Sequence, residues 1–200
     1  MKKVLLFFVF ATSLIVSQAQ VKFGGKAGLN LSTFSGDDAD DIKSKIGFNI
    51  GAFAEIPVAT SFAVKPELVF STQGAKSDDN TAGDIKLAFN YLNIPLLGKY
   101  NTSSGFFAET GPQIGFLLSA KAKSDDVDVD VKDQFKGTDF AWAFGIGYEM
   151  AESGFGVNLR YNLGLSNLPD DDDDDASFKN SVFQLGVFKT IGAGGSAHRK

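Results

Sequence analysis

Ten ionisable side chains interrupt runs of otherwise apolar or small residues. They are the cations Lys22, Lys26, Lys65, Lys99 and Arg160 and the anions Glu55, Glu67, Glu109, Asp139 and Glu149. Their chemistry is pairing. Carboxylates and cations in equal number, enclosed in a narrow space, would be held by charge-assisted hydrogen bonds, because a buried charge without a partner is costly. Other constellations are thin. The chain has no cysteine, which removes thiol catalysis, thiolate metal sites and disulfides. Its one histidine, His198, stands in the glycine-rich tail Gly192–Lys200, so a Ser–His pair or a His-ligated metal has no second member. Gly145-Ile146-Gly147 lies in an alternating stretch with no helix after it, unlike a dinucleotide fingerprint. Asp126-Val-Asp128-Val-Asp130 opens like a calcium loop but puts Val131 and Gly137 where Gly and Glu are needed. The run Asp170, Asp171, Asp172, Asp173, Asp174 and Asp175 reads as a solvated acidic loop, with weak capture of Ca²⁺ or Mg²⁺ as its sharper reading. No enzyme activity and no cofactor are expected.

The elements that must position the charges are strands. In Asp139–Met150 the residues Phe140, Trp142, Phe144, Ile146, Tyr148 and Met150 alternate with Asp139, Ala141, Ala143, Gly145, Gly147 and Glu149. This gives one greasy face and one small, polar face. The same pattern predicts eight strands: Val21–Phe34, Ile46–Ile56, Phe62–Gln73, Ala88–Tyr100, Phe106–Ser119, Asp139–Met150, Phe155–Ser166 and Val182–Ile191. The fourth is irregular. Leu92, Ile94 and Leu96 oppose Asn93, Pro95 and Lys99, while Leu87, Phe89 and Tyr91 take the other parity, which predicts a bulge near Asn90 or Pro95. Connections alternate between short (Pro57–Ser61, Asn101–Ser104, Ala151–Gly154) and long (Ser35–Lys45, Ala75–Lys86, Lys121–Gly137, Asn167–Asn180). Every Asp except Asp139 falls in a long connection, as suits a residue that favours solvated turns over strands. A meander of this kind puts all long loops at one end.

Alternation does not say which face points inward. A lipocalin-like soluble barrel has its apolar face inside, a membrane barrel has it outside. The apolar faces carry too much aromatic volume for the interior of eight strands, with 20 Phe in the chain. The opposite faces hold Gly, Ala, Ser and Asn, the sizes a narrow lumen accepts, and too few charges for a water-exposed exterior. Met1–Ala19 adds a secretory signal: Lys2 and Lys3, the apolar run Val4–Val16, then Ser17-Gln18-Ala19 for cleavage. The expectation is an all-β, eight-stranded antiparallel up-and-down transmembrane β-barrel over residues 20–191, after a signal at 1–19 and before a flexible tail at 192–200. A net charge of −5 argues against nucleic acid as a partner.

Three segments make a resemblance specific: Gly24-Gly-Lys-Ala-Gly-Leu-Asn-Leu-Ser32, Tyr91-Leu-Asn-Ile-Pro-Leu-Leu-Gly-Lys-Tyr100 and Arg160-Tyr-Asn-Leu-Gly-Leu-Ser-Asn167. The chain resembles the PorT-type, porin-like outer-membrane β-barrel family of the Bacteroidota. The resemblance implies an outer-membrane location, lipid and lipopolysaccharide as surroundings, and periplasmic or secretion-system proteins as partners. It also implies an aromatic final residue, whereas this chain runs past Phe188 into a Gly-rich tail. Two roles follow as expectations: a structural, envelope-interaction or secretion-associated barrel, or alternatively a narrow porin for small solutes. In the first, Lys22, Lys26, Glu55, Lys65, Glu67, Lys99, Glu109, Glu149 and Arg160 form a single plugging layer of ion pairs near the short-turn end. Asn30, Ser32, Asn49, Ser71, Gln73, Gln113, Asn162 and Ser166 are expected to line a wet vestibule above it.

Overall fold

A computed structural model of the chain describes residues 21–35, 42–79, 83–124, 128–169 and 178–192. The expected signal, the run Asp170–Asp175 and the tail from residue 193 onward lie outside the described residues. The strands are β1 (Lys22–Ser35), β2 (Ile42–Pro57), β3 (Phe62–Asp79), β4 (Gly83–Asn101), β5 (Phe106–Lys123), the short β6 (Asp128–Asp130), β7 (Thr138–Glu149), β8 (Phe155–Gly164) and β9 (Lys179–Gly192). All pairings are antiparallel, β1 closes on β9, and β6 only adds to the end of β5. Eight strands therefore form a closed barrel.

Its geometry follows from the register. Directly paired residues lead from Asp139 through Gly115, Asn93, Val69, Gly51, Lys26, Phe188 and Gly156 back to β7 at Glu149, ten residues along from the start. With a rise of about 3.3 Å per residue and about 4.8 Å between strands, that stagger tilts the strands by roughly 40°. The three short turns, at residues 58–61, 102–105 and 150–154, share one end, the turn end; the longer connections share the other, the loop end. Gly105 and Gly154 take positive φ in two of the turns, a conformation that favours glycine.

The large apolar side chains point outward along every barrel strand, among them Phe23, Ile50, Leu68, Leu96, Phe106, Ile146, Phe155 and Leu185, each at least half exposed. Near the turn end the aromatic pairs Phe62–Tyr100 and Phe106–Tyr148, with ring centroids 5.0 Å apart, mark the boundary of this band. A continuous apolar exterior round a closed barrel is the surface of a protein solvated by lipid.

The structure departs from the sequence reading at the loop end. β3 and β4 continue to Asp79 and Gly83, so most of the connection expected at Ala75–Lys86 is hairpin. Ladder hydrogen bonds need no apolar alternation, so such extensions leave no periodic signal. The irregularity expected near Asn90 does fall there, between Asn90 and Tyr91, but the extra residue belongs to the partner strand. On β4 the odd residues from Phe89 to Lys99 all face the lumen without a break in parity. The extra residue is Leu118 on β5: Tyr91 opposes Leu117 and Asn90 opposes Ser119. Phe89 and Tyr91 are thus lumen residues, and the bulge lets both Leu117 and Ala120 join them.

Candidate functional site

The lumen is filled in tiers. At its centre Arg160 from β8 donates through Nη1 and Nη2 to Glu67 of β3 at 2.7 and 2.8 Å, and through Nε to Glu109 of β5 at 3.0 Å, with a further close Nη2 contact to Glu109. Lys65 lies 3.2 Å from Glu67 and 3.1 Å from Glu109, and Lys26 lies 3.1 Å from Glu67. All five side chains are almost wholly inaccessible, at 0–3%. Their meeting depends on Gly145, which stands in register between Glu109 on one side and Arg160 on the other. A Cβ there would come within 2.8 Å of Glu109 Cγ, so only glycine leaves the carboxylate its path.

Closer to the turn end Lys99 pairs with Glu55 at 2.6 Å and Glu149 at 3.0 Å. The expected single layer is therefore two clusters, three cations with two carboxylates and one cation with two, which together balance. Between them sit three phenylalanine rings. Phe53 and Phe107 each approach Phe188 edge-on, at 6.0 and 5.7 Å. Lys65 Nζ stands 4.5 Å from the centre of the Phe53 ring and Lys99 Nζ 4.4 Å from that of Phe107, so each ammonium gains a π face as well as a carboxylate. Each ring lies over a glycine directly opposite it in the ladder: Phe53 over Gly24, Phe107 over Gly147, Phe188 over Gly156. A Cβ at any of the three would fall 2.2–2.3 Å from the ring tip.

One further expectation is corrected, for Lys22, while Asp139 stands apart from the layer as expected. Lys22 is half-buried in a hollow at the turn-end mouth near Glu55 and Glu149, and takes part in no ion pair among the described residues. Strand β1 begins there, so the side chain has solvent to reach. Asp139 is buried in the loop-end half, remote from the cations; it accepts from Ser166 Oγ at 2.7 Å, with Asn180 Nδ2 at 3.5 Å.

The vestibule is not open. Register and tilt place the carboxamides of Asn30, Asn49, Asn93, Gln113, Asn162 and Gln184, one from each of six strands, within about one residue of a common level. All are buried. Asn49 donates to Asn30 at 2.7 Å and Asn30 to Ser71 at 2.9 Å, while Asn93 Nδ2 and both polar atoms of Asn162 have no partner among the described residues. Groups of this kind are suited to enclosed water. Above them Ala75, Phe89, Tyr91, Leu117, Ala120 and Leu168 pack with Val131, Phe135 and Phe178 into an apolar lid. Backbone bonds pull the lid inward: Val131 N–H to Ala120 O at 3.0 Å, Lys136 N–H to Leu168 O and Leu168 N–H to Phe178 O, both 2.9 Å. The lid was missed because Val131, Phe135, Leu168 and Phe178 sit in connections of no period; the parity of Phe89 and Tyr91 was the available signal.

A closed eight-stranded barrel with a lipid-facing exterior and a charge-filled lumen defines the class: an integral β-barrel protein of the bacterial outer membrane. The chain belongs to the outer membrane protein beta-barrel domain family, whose model matches residues 16–170. Among solved structures it is similar to Neisserial surface protein A, at 14% identity and a TM-score of 0.53, covering 84% of this chain and 97% of that one. It is also similar to Ail, the attachment invasion locus protein of Yersinia pestis, solved with the heparin analogue sucrose octasulfate. That match has 16% identity and a TM-score of 0.50, covering 86% of this chain and 99% of the other. At these identities the likeness concerns the fold. No curated protein matches the chain.

Proposed function

We propose that this barrel is a sealed, non-conducting outer-membrane protein that works through its surfaces, as an envelope-interaction or secretion-associated component. The observation that carries the reading is the Arg160–Glu67–Glu109 cluster, which occupies the lumen axis with almost no accessible surface. Solutes passing it would have to break five charge-assisted contacts and leave buried charges unpaired. The loop-end lid is a second obstruction in series. Secretion through a cleaved signal would leave the N-terminus in the periplasm, so the turn end faces the periplasm and the loop end the outside. Outer-membrane lipid is then the constant partner of the apolar band. The PorT-like segments support a protein partner in the periplasm or in a secretion complex.

The alternative, a narrow porin, draws on one observation: the unpartnered carboxamides between cluster and lid suit a wet passage. Osmotic swelling of proteoliposomes in small sugars and amino acids separates the two readings. The sealed barrel swells no faster than protein-free vesicles; swelling that scales with protein content and falls with solute size would favour the porin.

A further inference from the structure

Beyond the apolar band at the loop end, the register lines up lysines. Lys43 of β2 is directly opposite Lys76 of β3, Lys76 is opposite Lys86 of β4, and Lys86 is opposite Lys123 of β5. Four adjacent strands thus place four ammonium groups along one line, spanning roughly 15 Å at about 4.8 Å between strands. Lys121 lies two residues from Lys123 on the same strand. Lys76, Lys121 and Lys123 are exposed and Lys86 is partly so.

Direct cross-strand pairs of like charge are destabilising, and three in succession accumulate rather than average out. Lys43 has an interaction of its own, and among the described residues little offsets the charge of the other three. Lys123 shares a half-exposed ion pair with Asp128 at 3.1 Å, whereas Lys76 and Lys86 meet no carboxylate within ion-pair distance among the described residues. The position of the row is as informative as its charge. On β5 the lipid-facing residues end with Phe116 and Leu118, and Lys121 and Lys123 follow. On β3 and β4 the even-numbered side chains that face lipid at Phe70 and Leu92 are continued by Lys76 and Lys86. The lysines therefore stand on the outer wall, at the level where lipid headgroups begin. Two residues farther out the register pairs Asp78 with Asp84, so basic residues give way to acidic ones toward the hairpin tip.

We propose that Lys76, Lys86, Lys121 and Lys123 form a binding site for the phosphorylated headgroup of a glycolipid in the outer leaflet. Its phosphates would bridge neighbouring strands and remove the repulsion between the lysines. The leaflet rests on the orientation given under Proposed function; the lysine–phosphate contact does not. A phosphate between two ammonium groups accepts charge-assisted hydrogen bonds from both, and acyl chains below it lie against Phe116, Leu118 and Leu92.

The test uses the full barrel in nanodiscs of phosphatidylcholine, which present both faces alike and so separate the site from the orientation. Diphosphoryl lipid A is titrated in, with phosphatidylglycerol as the comparison. Wild type is expected to bind lipid A with an affinity that falls as salt rises, and each Lys→Gln replacement to weaken it about fivefold. K76Q/K86Q should also unfold later than wild type without lipid A, since repulsion is relieved, and gain less from adding it. That paired readout holds the test even if one variant folds poorly. Equal affinity of wild type and K76Q/K86Q/K121Q/K123Q would overturn the site, as would equal, lysine-dependent binding of phosphatidylglycerol, which would make it a general anionic-lipid contact.

Discussion

At the scale of the residue, Arg160 is the group on which the lumen depends. It forms a bidentate pair with Glu67 and also holds Glu109, while Lys65 touches both carboxylates. Arg160→Met would leave Glu67 and Glu109 sharing two lysines in a site with almost no accessible surface. A loss of about 3–5 kcal/mol is expected, read by urea unfolding of the reconstituted barrel. Arg160→Met/Glu109→Gln restores equal numbers of cations and carboxylates over the two clusters together, three of each, and should recover part of it. Unchanged unfolding in the single variant would show that the contacts carry no stability. Gly145 offers a smaller test. Gly145→Ala should cost about 1–3 kcal/mol by driving Glu109 from its partners. Gly137→Ala, with nothing within 4 Å of the added methyl, should cost far less in the same assay.

At the scale of the element, the tilted strand explains both what could be read from the sequence and what could not. Alternation identified the eight barrel strands and the face of every lumen charge, because side-chain direction has period two whatever the strand's partners. It could not identify which charges meet. Lys99 and Glu109 are directly opposite in the ladder, yet Lys99 pairs with Glu55 and Glu149. Partners across a lumen are set by the ten-residue stagger, which is a property of the closed barrel and not of any strand. The Phe53, Phe107 and Phe188 tier was hidden for a related reason: an inward phenylalanine reads as a break in a small-residue face until the facing glycine is known. The tier should carry real stability. Phe188→Ala, which removes the ring that Phe53 and Phe107 both touch, is expected to lose about 3–5 kcal/mol in thermal unfolding. Phe144→Ala on the lipid-facing wall should lose clearly less, because acyl chains replace the ring's contacts. Equal losses would argue against a packed interior tier.

At the scale of the molecule, the barrel has a direction in the membrane and a state of its lumen. The direction can be read on intact cells, since a chain without cysteine accepts single cysteines cleanly. A membrane-impermeant maleimide should label Gln134→Cys at the loop end and spare Ser103→Cys and Glu152→Cys in the turns until the cells are lysed; the reverse pattern would invert the barrel. The state is the central claim: two charge clusters, a phenylalanine tier and an apolar lid stand in series along one lumen. The central cluster, the rings and the lid core are almost wholly buried, and all four are built from side chains fixed on the barrel wall or bonded to it. Single-channel recording of the reconstituted barrel in planar bilayers at neutral pH tests this most directly. The sealed barrel predicts a flat current trace after verified insertion, whereas steady unitary steps of uniform size would contradict it.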